Sequence, residues 1–230
     1  MSKNSVAAVI VAAGRSKRMG RLGDKIWIKI AGRPILFYSL RAFLRAGMKT
    51  MVVVVRPEDV RLAASRISRW FRSPRADIRV VAGGCERQDS VWNGITAAGA
   101  EYVLVHDAAR PAVRPDLIRT IFLAARADGA AVPVVPVIDT LKCVSGSKIV
   151  RTETREGLYG VQTPQGFRRD VLCKSISAAR RKNFVATDCS ALVESLGKKV
   201  TAVPGDPTNL KLTTPEDVWI FRKLLTSPTR

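Results

Sequence analysis

The sequence predicts an α/β protein whose mainly parallel sheet is covered by helices on both faces, with a β-arm projecting from it. Three observations point there. Short β-branched runs alternate with longer amphipathic stretches. The candidate strands are almost continuously apolar, as strands buried on both faces must be. One charged, threonine-rich segment breaks the alternation and has no place in such a sheet.

The predicted strands are Val6–Ala12, Met51–Val55, Ile78–Val81, Tyr102–His106, Ala130–Pro136 and Val200–Pro204. Between them lie the helical patterns Pro34–Ala46, Pro57–Phe71, Ser90–Ala98, Pro115–Ala127 and Arg168–Arg181. Thr214-Pro215-Glu216-Asp217 supplies a cap, a proline at the first helical position and early acidic residues, so a last helix should start there. The segment Ile138–Val161 reads as short strands around a turn at Ser145-Gly146-Ser147. Strand–helix alternation of this kind is Rossmann-like. The 230 residues are expected to form one domain, residues 1–230, with 138–161 as its arm.

Composition narrows the function classes. No apolar run approaches the roughly 18–20 residues of a membrane span. The run Val6–Ala13 could imitate a signal-peptide core, but Gly14, the basic cluster after it and the absence of a clear cleavage site fit a cytoplasmic strand better. Cys85, Cys143, Cys173 and Cys189 form no C-x-x-C pair, and His106 is the single histidine. Reduced cysteines and no structural zinc are the expectation. Lys and Arg number 39 against 19 Asp and Glu, a net charge of +20 that favours polyanions. A nucleic-acid-binding module would use that charge too. However, Arg61, Arg66, Arg69 and Arg72 are expected along one helix, and no aromatic platform or recognition helix accompanies them. No specific nucleic-acid or membrane partner is expected.

Candidate chemistry gathers at predicted strand ends, where open α/β sheets bind ligands. After the first strand comes Ala12-Ala13-Gly14-Arg15-Ser16-Lys17-Arg18-Met19-Gly20, then Lys25. A small-residue turn lets backbone N–H groups approach a phosphate, and nearby Arg and Lys neutralise it. The spacing matches neither G-x-G-x-x-G nor the Walker pattern. The fourth strand ends in His106-Asp107-Ala108-Ala109-Arg110-Pro111. There Asp107 can help hold Mg²⁺ against a triphosphate and Arg110 can grip a phosphate, although Asp107 would also serve as a helix cap. His106 reads as a packed or hydrogen-bonded histidine, since no serine elbow accompanies it. The loop Gly83-Gly84-Cys85-Glu86-Arg87-Gln88-Asp89-Ser90 opens a helix with Ser90 at its start. It could read a base edge or be an ordinary capped loop. Asn209-Leu210-Lys211-Leu212-Thr213 could bring Lys211 into the same cleft.

In order along the chain stand A-A-G-x-x-x-R-M, a lysine six residues past the methionine, G-G-x-x-R-x-D-S-V, H-D-A-A-R-P, D-T-L-K, R-x-G-L-Y, T-P-Q-x-F, T-D and N-x-K-x-T-x-P-E-D. From Val9 to about Val218 this series resembles the 2-C-methyl-D-erythritol 4-phosphate cytidylyltransferases. The resemblance implies a homodimeric, Mg²⁺-dependent nucleotidyltransferase of isoprenoid precursor synthesis that uses CTP and a sugar-alcohol phosphate. Ala12, Ala13, Gly14, Gly83 and Ser90 would surround cytosine and ribose, with Asp107 and Ala108 also on the nucleotide side. Arg18 and Lys25 would hold the triphosphate, and Asp107 would face the metal. Arg110, Thr163 and Lys211 would complete the acceptor side. Thr140 and Arg155, on the arm, would grip the acceptor phosphate. Ribitol 5-phosphate cytidylyltransferases are similar in sequence, while R-x-G-L-Y and D-T-L-K lean towards methylerythritol phosphate. Three positions depart from the family pattern: Asp24 stands where proline is usual, Ile26 where a polar residue is common, and Cys189 where a second acidic residue follows Asp188.

Overall fold

A computed structural model describes residues 6–14, 24–71 and 76–226. In chain order the elements are β1 (Val6–Val11), β2 (Lys29–Ile30), β3 (Arg33–Pro34), α1 (Ile35–Arg45), β4 (Thr50–Val55), α2 (Val60–Trp70), β5 (Asp77–Ala82) and α3 (Arg87–Ala98). Then follow β6 (Tyr102–Asp107), α4 (Pro115–Asp128), β7 (Ala130–Pro136), β8 (Leu141–Ser145), β9 (Lys148–Glu153), β10 (Tyr159–Val161) and β11 (Gln165–Arg168). The chain continues through α5 (Arg169–Arg181), α6 (Cys189–Glu194), β12 (Thr201–Pro204) and α7 (Pro215–Thr226). Single 3₁₀ turns at Lys25–Trp27 and Pro57–Asp59 precede β2 and α2.

The main sheet is parallel through β5, β4, β1 and β6, and β12 pairs β7 in parallel. Between β6 and β7 lies β11, antiparallel to both, and β10 continues the antiparallel pairing along β7. The expected mainly parallel sheet is therefore present, interrupted by one reversed strand that alternation alone did not reveal. In β1 the side chains divide between two cores. Ala8 and Ile10 pack with Leu36, Leu40 and Phe43 of α1 and Ile118 and Ile121 of α4. Ala7 and Val9 pack with Val91 and Ile95 of α3 and Leu172 and Ile176 of α5.

Register brings the parallel strand ends level. Val11 lies opposite Asp107 and Val54, and Val55 lies opposite Ala82. Beyond the strands the ladder runs one step further: Ala12 N–H donates to Val54 at 2.7 Å, Gly83 N–H to Val55 at 2.7 Å and Ala108 N–H to Val11 at 3.0 Å. The turns carrying the candidate residues thus leave the sheet along one edge.

Two expected boundaries move. Helix α3 begins at Arg87, because Glu86 and Asp89 form a reciprocal capping box. Ser90 is consequently inside the helix, where its Oγ accepts from Gly84 N–H at 3.1 Å. The arm predicted over 138–161 is a shorter hairpin, β8–β9, because Tyr159–Val161 has joined the main sheet as β10. Val144, Ile149 and Val150 of the hairpin are exposed.

Close approach of α3 to the sheet depends on Gly94, where an added Cβ would stand 2.3 Å from Val9 Cγ1 and 2.9 Å from Val54 Cγ2. Gly94→Ala should therefore lower stability by about 1–3 kcal/mol, despite the better helix propensity of alanine. Urea denaturation of the two proteins measures this, and an unchanged midpoint would show that α3 can retreat freely.

Candidate active site

The strand ends surround a cleft of about 470 Å³. Its wall holds Ala12, Ala13 and Gly14 after β1, Lys25 and Ile26 on the 3₁₀ turn, and Arg56, Pro57 and Glu58 after β4. Gly84, Cys85, Glu86, Arg87 and Ser90 come from the β5–α3 connection, Asp107 and Ala109 from the end of β6, and Lys211 from the loop after β12. Gly83 packs against Ala13 and Ser90 of that wall: a Cβ there would meet Ala13 Cβ at 2.6 Å and Ser90 Oγ at 2.7 Å, so no side chain fits.

Asp107 is the electrostatic centre. Its Oδ1 accepts from Arg87 Nη2 at 3.0 Å, and its Oδ2 lies 2.7 Å from Lys211 Nζ. Burial works to raise its carboxyl pKa, but Arg87 and then Lys211 outweigh burial and hold it well below the usual carboxylate range. Asp107 is therefore ionised at neutral pH, buried between two cations.

A second layer fixes the backbone beneath it. Thr163 Oγ1 accepts from Asp107 N–H at 3.1 Å and lies 3.0 Å from His106 Nδ1. His106 Nε2 lies 3.1 Å from the Arg110 carbonyl, which can only accept, so Nε2 carries the proton. Nδ1 then accepts from the Thr163 hydroxyl, and both ring nitrogens are satisfied. Asn209 Nδ2 donates to the Thr163 carbonyl at 2.9 Å. Arg110 donates through Nη1 to the Asn209 carbonyl at 2.8 Å and through Nη2 to that of Val161 at 3.4 Å.

The structure thus gathers most of the expected residues and separates others. Ala12, Ala13, Gly14, Lys25, Ser90, Asp107 and Lys211 share one cleft. Thr163 is buried behind Asp107, and Ala108 is buried beneath the wall, its carbonyl accepting from Ser39 Oγ at 2.9 Å. Arg110 braces two loops through their carbonyls. Thr140 and Arg155 are exposed at the base of the arm and do not line this chain's cleft; Arg155 Nη1 donates to the Ile138 carbonyl. Arg18 lies outside the described residues. Arg87 and Arg56 were not singled out from the sequence. Arg87 could have been found, because G-G-x-x-R places it at the mouth of a strand-end loop.

A cleft at the carboxyl ends of parallel strands, with Lys25, Arg56, Arg87 and Lys211 in its wall and the last two holding Asp107, belongs to an enzyme that handles phosphorylated ligands. A family model described as 2-C-methyl-D-erythritol 4-phosphate cytidylyltransferase matches residues 6–227. A relative of that name from Caldanaerobacter subterraneus subsp. tengcongensis is 41% identical over 225 residues, covering 96% of this chain and 99% of its own. Another, from Pelotomaculum thermopropionicum, is 42% identical over 233 residues, covering 96% and 94%. The crystal structure of 2-C-methyl-D-erythritol 4-phosphate cytidylyltransferase from Thermus thermophilus superposes with a TM-score of 0.80 at 35% identity, covering 96% of this chain and 98% of that one. The chain belongs to the 2-C-methyl-D-erythritol 4-phosphate cytidylyltransferase family and is a nucleotidyltransferase.

His106 gives the fold a pH signature. Burial drives its pKa down to about 4, with Asp107 opposing and Arg110 assisting. The unfolded chain takes up its proton near pH 6.5, before the folded chain does. The stability from keeping His106 neutral is present above pH 6.5 and is lost as pH falls towards 4, on the order of 3 kcal/mol. His106 is the single histidine, so urea midpoints followed from pH 7 to pH 4 should fall in wild type and flatten in His106→Gln. Equal slopes in both would remove His106 as the cause.

Proposed function

We propose that this protein transfers the cytidylyl group of CTP to 2-C-methyl-D-erythritol 4-phosphate and releases pyrophosphate, in the non-mevalonate route to isoprenoid precursors. The observation that carries this reading is the ionised Asp107 held between Arg87 and Lys211 in a cleft that Lys25 also lines. Such a site brings together two polyanions that repel each other in water.

The acceptor phosphate is already an anion at neutral pH, so no general base is required. One of its oxygens attacks the α-phosphorus of CTP in line. The new P–O bond forms as the bond to the bridging oxygen of the β-phosphate breaks, and pyrophosphate leaves with that electron pair. The chain's work is positioning and charge stabilisation. The backbone of Ala12–Gly14, with Gly83 and Ser90, holds the nucleoside end. Lys25 serves the triphosphate from the cleft wall, and Lys211 is held there against Asp107; Arg18, outside the described residues, is given the same role as Lys25.

Mg²⁺ or another divalent cation fits the donor set. Such an ion is held by one or two carboxylates together with substrate phosphates, and Asp107 is ionised with lone pairs beyond its two cationic contacts. Among the described residues no three His, Cys, Asp or Glu side chains form a metal cage, so triphosphate oxygens and water would supply the other ligands. When bound, the ion neutralises charge on the departing pyrophosphate.

A pyrophosphate-release assay offering each nucleoside triphosphate with each acceptor tests the assignment. CTP with methylerythritol 4-phosphate should be fastest, and faster turnover with ribitol 5-phosphate would reassign the acceptor. Lys25→Ala and Arg18→Ala should each lower turnover by about 10²–10³-fold without unfolding the protein. Near wild-type activity in Lys25→Ala would sink the role given to that lysine.

The arm supports a homodimer. A lone two-stranded hairpin is marginal in water, and this one exposes Val144, Ile149 and Val150. Two-fold pairing would cover them and carry Thr140 and Arg155 to the acceptor phosphate in the other subunit's cleft. Mixing Lys25→Ala with Arg155→Ala subunits should then restore about a quarter of all sites, because half the dimers are mixed and one site in each carries neither lesion. Verified subunit exchange with no recovered activity would place Arg155 outside the partner's site.

A further inference from the structure

Asp24 and Ile26 flank Lys25, and each is fixed in a different way. Ile26 is 2% exposed and belongs to the core that includes Ile10, Leu36 and Val55. Asp24 caps the 3₁₀ turn, its Oδ1 accepting from Ile26 N–H at 3.5 Å, while the Trp27 N–H donates to the Asp24 carbonyl at 3.0 Å. The other carboxylate oxygen of Asp24 accepts from Arg56 Nη2 at 2.8 Å. Arg56 follows directly after β4 and is itself fixed, since its Nε donates to Asp59 Oδ2 at 2.8 Å and its Nη2 lies 2.7 Å from the same oxygen. The side chains of Asp24 and Asp59 are only 15% and 13% exposed, so these contacts are largely sheltered from water.

We propose that the Asp24–Arg56–Asp59 clasp is a positioning device for Lys25. It ties the turn that carries the lysine to the carboxyl end of β4, and the burial of Ile26 holds the other side. The lysine backbone is then fixed relative to the sheet edge from which Asp107 also projects. A planar guanidinium suits this task, because its fork binds two carboxylates at set angles where an ammonium would be a loose point charge. A charged group displaced by about 1 Å can lose about a hundredfold in rate, so a device outside the reacting atoms can govern turnover. Asp24 is a carboxylate beside a triphosphate site. Paired with Arg56, which also holds Asp59, it contributes rigidity and its charge is partly offset; unpaired, it would repel the substrate more strongly.

This inference rests on the role given to Lys25, and the experiment separates the two. Asp24→Ala and Arg56→Ala are each prepared alone and together with Lys25→Ala, and kcat, KM for CTP and the urea midpoint are measured. Asp24→Ala should lower kcat about 10- to 100-fold, with a smaller change in KM. Asp24→Asn keeps the cap on Ile26 but not the ion pair and should fall between it and wild type, which keeps the test alive if the alanine variant unfolds. In the Lys25→Ala background the Asp24 lesions should change kcat by less than about twofold, because a residue acting through Lys25 has nothing left to position. If Lys25→Ala is impaired but the Asp24 lesions cost as much with the lysine as without it, the clasp is structural only and the inference falls. If Lys25→Ala is itself near wild type, the role of the lysine fails first, and the clasp with it.

Discussion

Asp107 is a buried carboxylate with a cation on each oxygen, and much of the cleft is arranged to keep it there. Removing one partner from a buried ion pair costs about 3–5 kcal/mol, because the other charge remains out of water. That cost couples three distant parts of the chain. Arg87 is delivered by the capping box that starts α3, Lys211 by the loop after β12, and Asp107 by the last residue of β6. The carboxylate also needs a fixed backbone, which Thr163, His106, Arg110 and Asn209 supply through hydrogen bonds.

This arrangement explains why a site for two polyanions contains a carboxylate at all. Lysines and arginines crowded together repel one another and drift towards solvent. A central anion holds Arg87 and Lys211 in place before substrate arrives, so little reorganisation is left for the reaction itself. It also limits how much of the +20 charge acts in the cleft. Elsewhere the basic residues are partly neutralised locally: Arg79 by Asp77, Arg119 by Asp116, Arg168 by Asp170 and Arg180 by Asp89.

The parallel strands were legible because apolar runs of five or six residues can be buried on both faces of a sheet and in few other places. Their carboxyl ends followed, and with them the positions of Ala12–Gly14, Asp107 and Lys211. What escaped was set by contacts distant in sequence. Strand β11 has four residues, and its place between β6 and β7 depends on Gly166, where a Cβ would stand 2.8 Å from Ala125 Cβ. Ser90 looked like a helix cap because it is a serine before an apolar run, but the Glu86–Asp89 pair starts the helix a turn earlier. Arg110 carries the charge expected of a phosphate ligand, and its guanidinium also donates to two backbone carbonyls. Nothing local reveals those two contacts; they depend on the folded positions of Asn209 and Val161.

The three departures from the family pattern acquire physical meaning together. Asp24 is absorbed by Arg56, and Ile26 by the core, so both act on the turn that carries Lys25. Cys189 acts on the opposite side of the cleft. Its Sγ accepts from Arg87 Nη1 at 3.4 Å, and burial pushes its thiol pKa up, so it stays uncharged at neutral pH. An acidic residue there would divide Arg87 between two anions. With a neutral sulfur, the described carboxylate paired with Arg87 is Asp107, and one fewer negative charge stands behind the cleft. The side that holds Lys25 gains a carboxylate that Arg56 holds in place, while the side that holds Asp107 loses one. Lys25, Arg87 and Lys211 in the cleft wall supply the positive charge that in-line transfer between two anions requires.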